Sequence, residues 1–158
     1  MPDYYRNTKY ADAPGSTYDF ASAKQVPDAI FINLGSNDIS AIETLGEDVG
    51  GPLFTNQTVE FMVNATKLYS KSDIEFFLNA GPIENMTLAY TLDAISQAKE
   101  LGIRATYIDT TDSCVSADDH GSDNPDQCDG CANHPGVEGH KKMYEAALPV
   151  IQNVLGWD

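Results

Sequence analysis

Positive charge is scarce in this sequence: nine Lys and Arg stand against 24 Asp and Glu, a net charge of −15 with His neutral. Such a field repels phosphate backbones and anionic lipid, so nucleic acid and a membrane surface are poor partners, and neutral or cationic substrates fit better. Long apolar runs are also missing. Hydrophobic residues make up 42%, yet no stretch approaches the roughly eighteen residues that span a bilayer, so the chain reads as soluble and globular. Met1-Pro2-Asp3-Tyr4-Tyr5-Arg6 shows no charged-then-apolar signal-peptide pattern. Cysteine is limited to Cys114, Cys128 and Cys131. In an oxidising compartment Cys114 closes a loop with either of the other two and one thiol stays unpaired. There are no internal repeats, and 158 residues fit one domain.

What is present alternates between strand-like and helix-like patterns. Residues 1–26 form an irregular lead-in, and 27–157 carry the α/β core. Ala29 to Leu34 is a β-branched and aromatic run that predicts a strand buried on both faces, with Pro27 just ahead of it. Leu45 to Pro52 holds three glycines and predicts a loop. Thr55 to Tyr69 has helical spacing, with Thr55 or Asn56 available as a cap. Ile74 to Ala80 predicts a second buried strand, ended by Gly81-Pro82. Met86 to Leu101 predicts a second amphipathic helix, with Gly102 at the left-handed closing position, and Ile103 to Asp109 a third strand. A last helix runs from about Pro135 to Leu155, kinked or restarted at Pro149. The order βαβαβα calls for parallel strands and right-handed crossovers.

Two polar segments follow strands, where α/β proteins keep their chemistry. In the first, Gly35 lets the chain turn, and Asn37 and Asp38 bring an amide and a carboxylate to the mouth of the sheet. The amide is suited to stabilising an oxyanion. In the second, His134 stands directly before a helix-starting proline at the same edge, as a general base would. His140 is expected to pack inside the helix start, and His120 to lie exposed in the acidic loop from Ser116 to Asp126. That loop reads as solvated, with calcium binding as its minor alternative. Asn56, Asn64 and Asn85 head glycosylation sequons and suggest a secreted glycoprotein. Cys128, Cys131 and His134, with His140 or Cys114, have a spacing that suggests zinc but lack a second Cys pair.

Gly35-Ser36-Asn37-Asp38 and the segment from His134-Pro135 to Gly139-His140 resemble the third and fifth sequence blocks of the SGNH, or GDSL-type, esterases. Pro27-Asp28 through Asp38, Cys131 ahead of His134, and the ending Leu155-Gly156-Trp157 are similar, more narrowly, to carbohydrate esterase family two and its fungal relatives. The resemblance implies a flavodoxin-like parallel sheet with flanking helices and no cofactor. It implies removal of acetyl or similar acyl groups from plant cell-wall carbohydrate or a small ester. By position, Asn37 matches the oxyanion-hole asparagine and His134 the base, while Asp38 is expected to fix the loop by hydrogen bonds to backbone amides.

Two departures accompany the match. The aspartate that many members carry three residues before the histidine is here Cys131, which leaves a serine–histidine dyad with the imidazole oriented by a backbone carbonyl. The first two blocks are also absent, and with them the Gly-Asp-Ser nucleophile and the second oxyanion donor; Ser36 reads as a loop hydroxyl and not a replacement. The family's first two strands lie beside the one starting at Ala29. Their absence implies a bared strand edge, an incomplete domain of marginal stability, and a place for a protein partner that covers the edge. A glycan- or protein-binding short form without catalysis is the alternative function.

Overall fold

The computed structural model describes Phe20 and residues 26–80, 87–111 and 135–157. Strand β1 (Ala29–Asn33) leads through a 3-10 turn (Ser36–Asp38) into helix α1 (Ile39–Leu45), and Gly46 separates this from the long helix α2 (Glu47–Tyr69). Strand β2 (Glu75–Asn79), helix α3 (Leu88–Glu100), strand β3 (Arg104–Tyr107) and helix α4 (Val137–Leu155) complete the order.

The three strands are parallel in the order β1-β2-β3, with Phe31 beside Phe77 and Phe77 beside Thr106. Alternating side chains sort the core into two faces. Ile32, Phe76, Leu78 and Ala105 pack with Met62 and Ala65 of α2 and Ile95 and Ala98 of α3. Phe77 and Ile108 pack with Ala147 on the other face, where Ala29, Val150, Ile151 and Val154 join them. The sheet is therefore covered by α2 and α3 on one side and by α4 on the other, as parallel strands require. Every residue of β2 is buried, including Glu75, which is 3% exposed. Its carboxylate accepts from Arg104 Nε at 3.0 Å and from Thr106 Oγ1 at 2.8 Å, so the buried charge is paired.

Several expectations are corrected. The first strand is not buried on both faces. It is an outer strand of the sheet among the described residues, and Phe31 is 41% exposed while its neighbour Phe77 is buried. The stretch from Leu45 to Pro52 is helical, not a loop, apart from Gly46. Gly50 and Gly51 serve close packing. A Cβ on Gly50 would lie 2.6 Å from Ile42 Cα, and one on Gly51 would overlap the Tyr90 ring, so only glycine lets α2 press against α1 and α3. Helix α2 consequently starts eight residues before Thr55. Thr55 is no cap: it is buried and donates from Oγ1 to the Tyr90 carbonyl at 3.2 Å.

Helix α4 continues through Pro149 as one element. Pro149 is exposed, so the carbonyl of Glu145 that it leaves without a helical donor is open to water. His140 is also exposed, against the expectation that it packs inside. The buried positions are Gly139, Met143 and Ala147, a spacing of four that sets His140 a hundred degrees or so off the inward face. Gly102 is left-handed, as its place after α3 predicts. Within the lead-in, Phe20 is buried and meets Tyr69 edge to face, with ring centroids 5.1 Å apart.

Candidate active site at the carboxyl rim of the sheet

The carboxyl ends of the three strands open on one rim. Beyond β1, Gly35 has φ +122°, which side chains disfavour, and a Cβ there would meet Thr87 Oγ1 at 3.1 Å and Phe54 at 3.2 Å. The turn is thereby wedged between α2 and the residue preceding α3. It is closed by the Asp38 N–H donating to the Gly35 carbonyl at 2.9 Å, and it leaves Ser36, Asn37 and Asp38 exposed. Asn37 is thus exposed at the rim. Asp38 departs from its expected role, because its carboxylate makes no capping hydrogen bond to α1. The backbone bond and the left-handed glycine hold the loop instead.

Beyond β2 and β3 a polar cluster faces the same rim. Asn79 is 2% exposed and its Nδ2 donates to Thr110 Oγ1 at 2.9 Å, while its Oδ1 has no hydrogen-bond partner among the described residues. Thr111 donates to Asp109 Oδ1 from its backbone N–H at 3.0 Å and from its hydroxyl at 2.7 Å. These two bonds hold the Asp109 carboxyl below its ordinary range. Burial, helped by the negative charge of Asp109, pushes the Tyr107 phenol above its ordinary value. Neither Asn79 nor Thr110 was singled out by sequence patterns. The available signal was that β1 and β2 each end in asparagine, at Asn33 and Asn79, which the register sets side by side.

His134, His120, Asn85, Cys114, Cys128 and Cys131 lie outside the described residues, so the base, the disulfide and the zinc spacing are not placed. Among the described residues no group of three His, Cys, Asp or Glu side chains is arranged to hold a metal, and no helix is long and apolar enough to cross a membrane. Asn56 and Asn64 are exposed, but both sit within α2. Their sequon hydroxyls are engaged with the helix backbone, Thr58 with the Phe54 carbonyl and Thr66 with that of Val63. The described residue next to His134 is Pro135. Gly136 follows in extended conformation, and its carbonyl accepts from the His140 N–H at 3.0 Å to begin α4.

No family model matches the sequence, and no curated protein does. Solved structures do match in fold. A family two carbohydrate esterase from Cellvibrio japonicus superposes with a TM-score of 0.67 at 18% identity, over 99% of this chain and 41% of that one. An acetyl xylan esterase from the rumen bacterium Butyrivibrio proteoclasticus superposes with a TM-score of 0.64 at 20% identity, over 90% of this chain and 40% of that one. The chain thus spans about two fifths of the length of these structures, and its three-stranded parallel sheet with flanking helices shares their fold over that part.

Proposed function

We propose that the chain is the carboxyl-terminal part of an SGNH-type carboxylic ester hydrolase that removes acetyl or similar acyl groups from carbohydrate. The observation that carries this reading is the rim turn. A positive-φ glycine, fixed between Phe54 and Thr87, exposes the Asn37 amide beyond an outer parallel strand, in a fold similar to that of solved carbohydrate esterases. In this reading Asn37 Nδ2 donates to the oxyanion that develops on the scissile carbonyl, and His134 takes the proton from the attacking serine and returns it to the leaving alkoxide. The serine comes from a Gly-Asp-Ser segment beyond these 158 residues, on a strand added beside β1. The three sequons make secretion part of the same proposal. No cofactor is assigned.

Hydrolysis of p-nitrophenyl acetate tests the assignment. The 158-residue chain is expected to stay near background. A version extended at its amino end by a strand and a Gly-Asp-Ser turn is expected to hydrolyse the ester. In that version His134→Ala should abolish activity and Asn37→Ala should lower kcat about 10²–10³-fold. An extended, folded protein without activity, or one indifferent to His134→Ala, overturns the roles given to these residues. A glycan-binding short form predicts instead that the unextended chain retains saturable binding to acetylated xylan fragments, with no turnover in either version.

A further inference from the structure

The two sequons on α2 serve neither the sheet rim nor the ester chemistry. Asn56 and Asn64 lie eight residues apart, roughly 12 Å along the helix axis, and flank Glu60 on the exposed side. The side turned inward carries Thr55, Met62 and Ala65. Neither asparagine has a hydrogen-bond partner among the described residues. Asn and Thr are among the poorer helix formers, so an exposed helix face gains no stability from them. A bulky hydrophilic group on either Nδ2 would project into solvent and displace no packed side chain.

Helix geometry also sets when such a group can be attached. An enzyme that reads Asn-x-Thr engages the amide together with the hydroxyl two residues on. In a helix, residues two apart point about 200° from each other around the axis. Here the hydroxyls are committed as well, Thr58 donating to the Phe54 carbonyl at 2.9 Å and Thr66 to that of Val63 at 2.8 Å. The folded helix therefore turns each amide away from its hydroxyl and ties the hydroxyl to its own backbone. Only an extended chain presents the two together.

We propose that Asn56 and Asn64 are N-glycosylation sites loaded before α2 forms, so that the outer face of the folded helix carries two glycans. The donor is an oligosaccharide linked through pyrophosphate to a lipid. Asparagine Nδ2 forms a bond to the anomeric carbon of its first N-acetylglucosamine and loses one proton, while the bond from that carbon to the pyrophosphate oxygen breaks and the lipid pyrophosphate leaves. The sites rest on the secretion in the proposed function and not on its ester chemistry. Expression of the full chain behind a cleavable signal peptide in a eukaryotic secretory cell tests them, with peptide mapping of cells and medium together before and after peptide-N-glycosidase. Both asparagines are expected to carry glycan, Thr58→Val removing it from Asn56 alone and Thr66→Val from Asn64 alone. The order of events is tested with purified oligosaccharyltransferase and lipid-linked donor. A peptide of residues 53–69, too short to hold a stable helix by itself, should be glycosylated, and the folded, unglycosylated 158-residue protein should not be modified at either asparagine. Because the signal peptide is supplied, an unmodified Asn56 or Asn64 in the cell overturns the sites whatever becomes of the secretion and esterase readings. Modification of the folded protein as fast as that of the peptide overturns the order of events.

Discussion

Gly50→Ala is expected to destabilise the protein, the opposite of what helix propensity alone gives. Gly50 lies inside α2, where exchanging glycine for alanine ordinarily gains about 1 kcal/mol. Here the new methyl carbon would sit 2.6 Å from Ile42 Cα and 2.9 Å from the Ile42 carbonyl oxygen. Both atoms are backbone, so no rotamer change relieves the contact, and α1 must move away from α2. Overpacking of this kind costs about 1–3 kcal/mol and here belongs at the upper end. The net is a loss of about 1–2 kcal/mol, or roughly 2–8 °C in Tm for a chain of this size. Urea unfolding followed by circular dichroism at 222 nm measures it directly. Gly51→Ala is the companion case, because its obstruction is the Tyr90 side chain. Its penalty should therefore largely disappear in a Tyr90→Ala background, while that of Gly50→Ala persists there. If Gly50→Ala stabilises the protein by about 1 kcal/mol, α1 is not pressed against α2 and the packing account of this segment is wrong.

Arg104→Met should destabilise by about 1–3 kcal/mol, because the buried Glu75 carboxylate keeps only the Thr106 hydroxyl; an unchanged urea midpoint would contradict the pairing. Phe31→Lys, at an outer-strand position 41% exposed, should lower self-association in light scattering with little change in unfolding midpoint, since a charge on an open strand edge opposes edge pairing; equal scattering by both proteins would count against an open edge there. Asp109 has a lowered pKa in the folded state, so its contribution to stability is present above the ordinary carboxylate value and lost as pH falls through the lower folded one. Thr111→Val, which removes the hydroxyl donor, should therefore reduce stability near neutral pH and flatten its decline below about pH 4. Tyr107 runs the other way. Its folded pKa is raised, so its contribution is complete below pH 10.0 and lost as pH rises through the folded value, a decline that Tyr107→Phe should remove.

The strand and helix order was legible because buried parallel strands leave unmistakable apolar runs, as in Ile74 to Ala80, and because Gly102 closes α3 where a left-handed residue is needed. The misread segment, Leu45 to Pro52, shows why composition fails locally. Glycine is a signal of backbone freedom in a turn and of missing volume at a helix crossing, and a single sequence carries no mark that separates the two. Only the positions of Ile42 and Tyr90 decide it. His140 was misplaced for a related reason: a residue near a helix start takes its orientation from the phase of the buried face, and that phase was set by Gly139, Met143 and Ala147. The exposed turn that carries Asn37 was legible because Gly35 ends an apolar strand and is followed by three polar residues. Asn79 was not, because an asparagine that ends a strand is commonly just a stop.

Among the described residues the rim is tied together at β2 and β3 and more open at β1. Asn79 and Thr110 tie the ends of β2 and β3 together, and the Ile108 N–H donates to the Leu78 carbonyl at 2.8 Å, so these two strands are joined up to the point where they leave the sheet. On β1 the restraint is different in kind. Gly35 is seated against Phe54 and Thr87 on the helical side, but Phe31 is 41% and Leu34 42% exposed, and strand β1 has a pairing neighbour on one side alone among the described residues. A turn held on its helical flank and open on its strand flank keeps Asn37 in place while leaving room next to it. In the proposed esterase, where Asn37 is the oxyanion donor and the nucleophile comes from an adjoining strand, that arrangement is what the chemistry needs: the donor fixed before the acyl group enters, and the space beside it clear. The exposure of β1 and the placement of Asn37 are then two consequences of one geometry, and adding a strand to that edge should order the rim further without moving the turn.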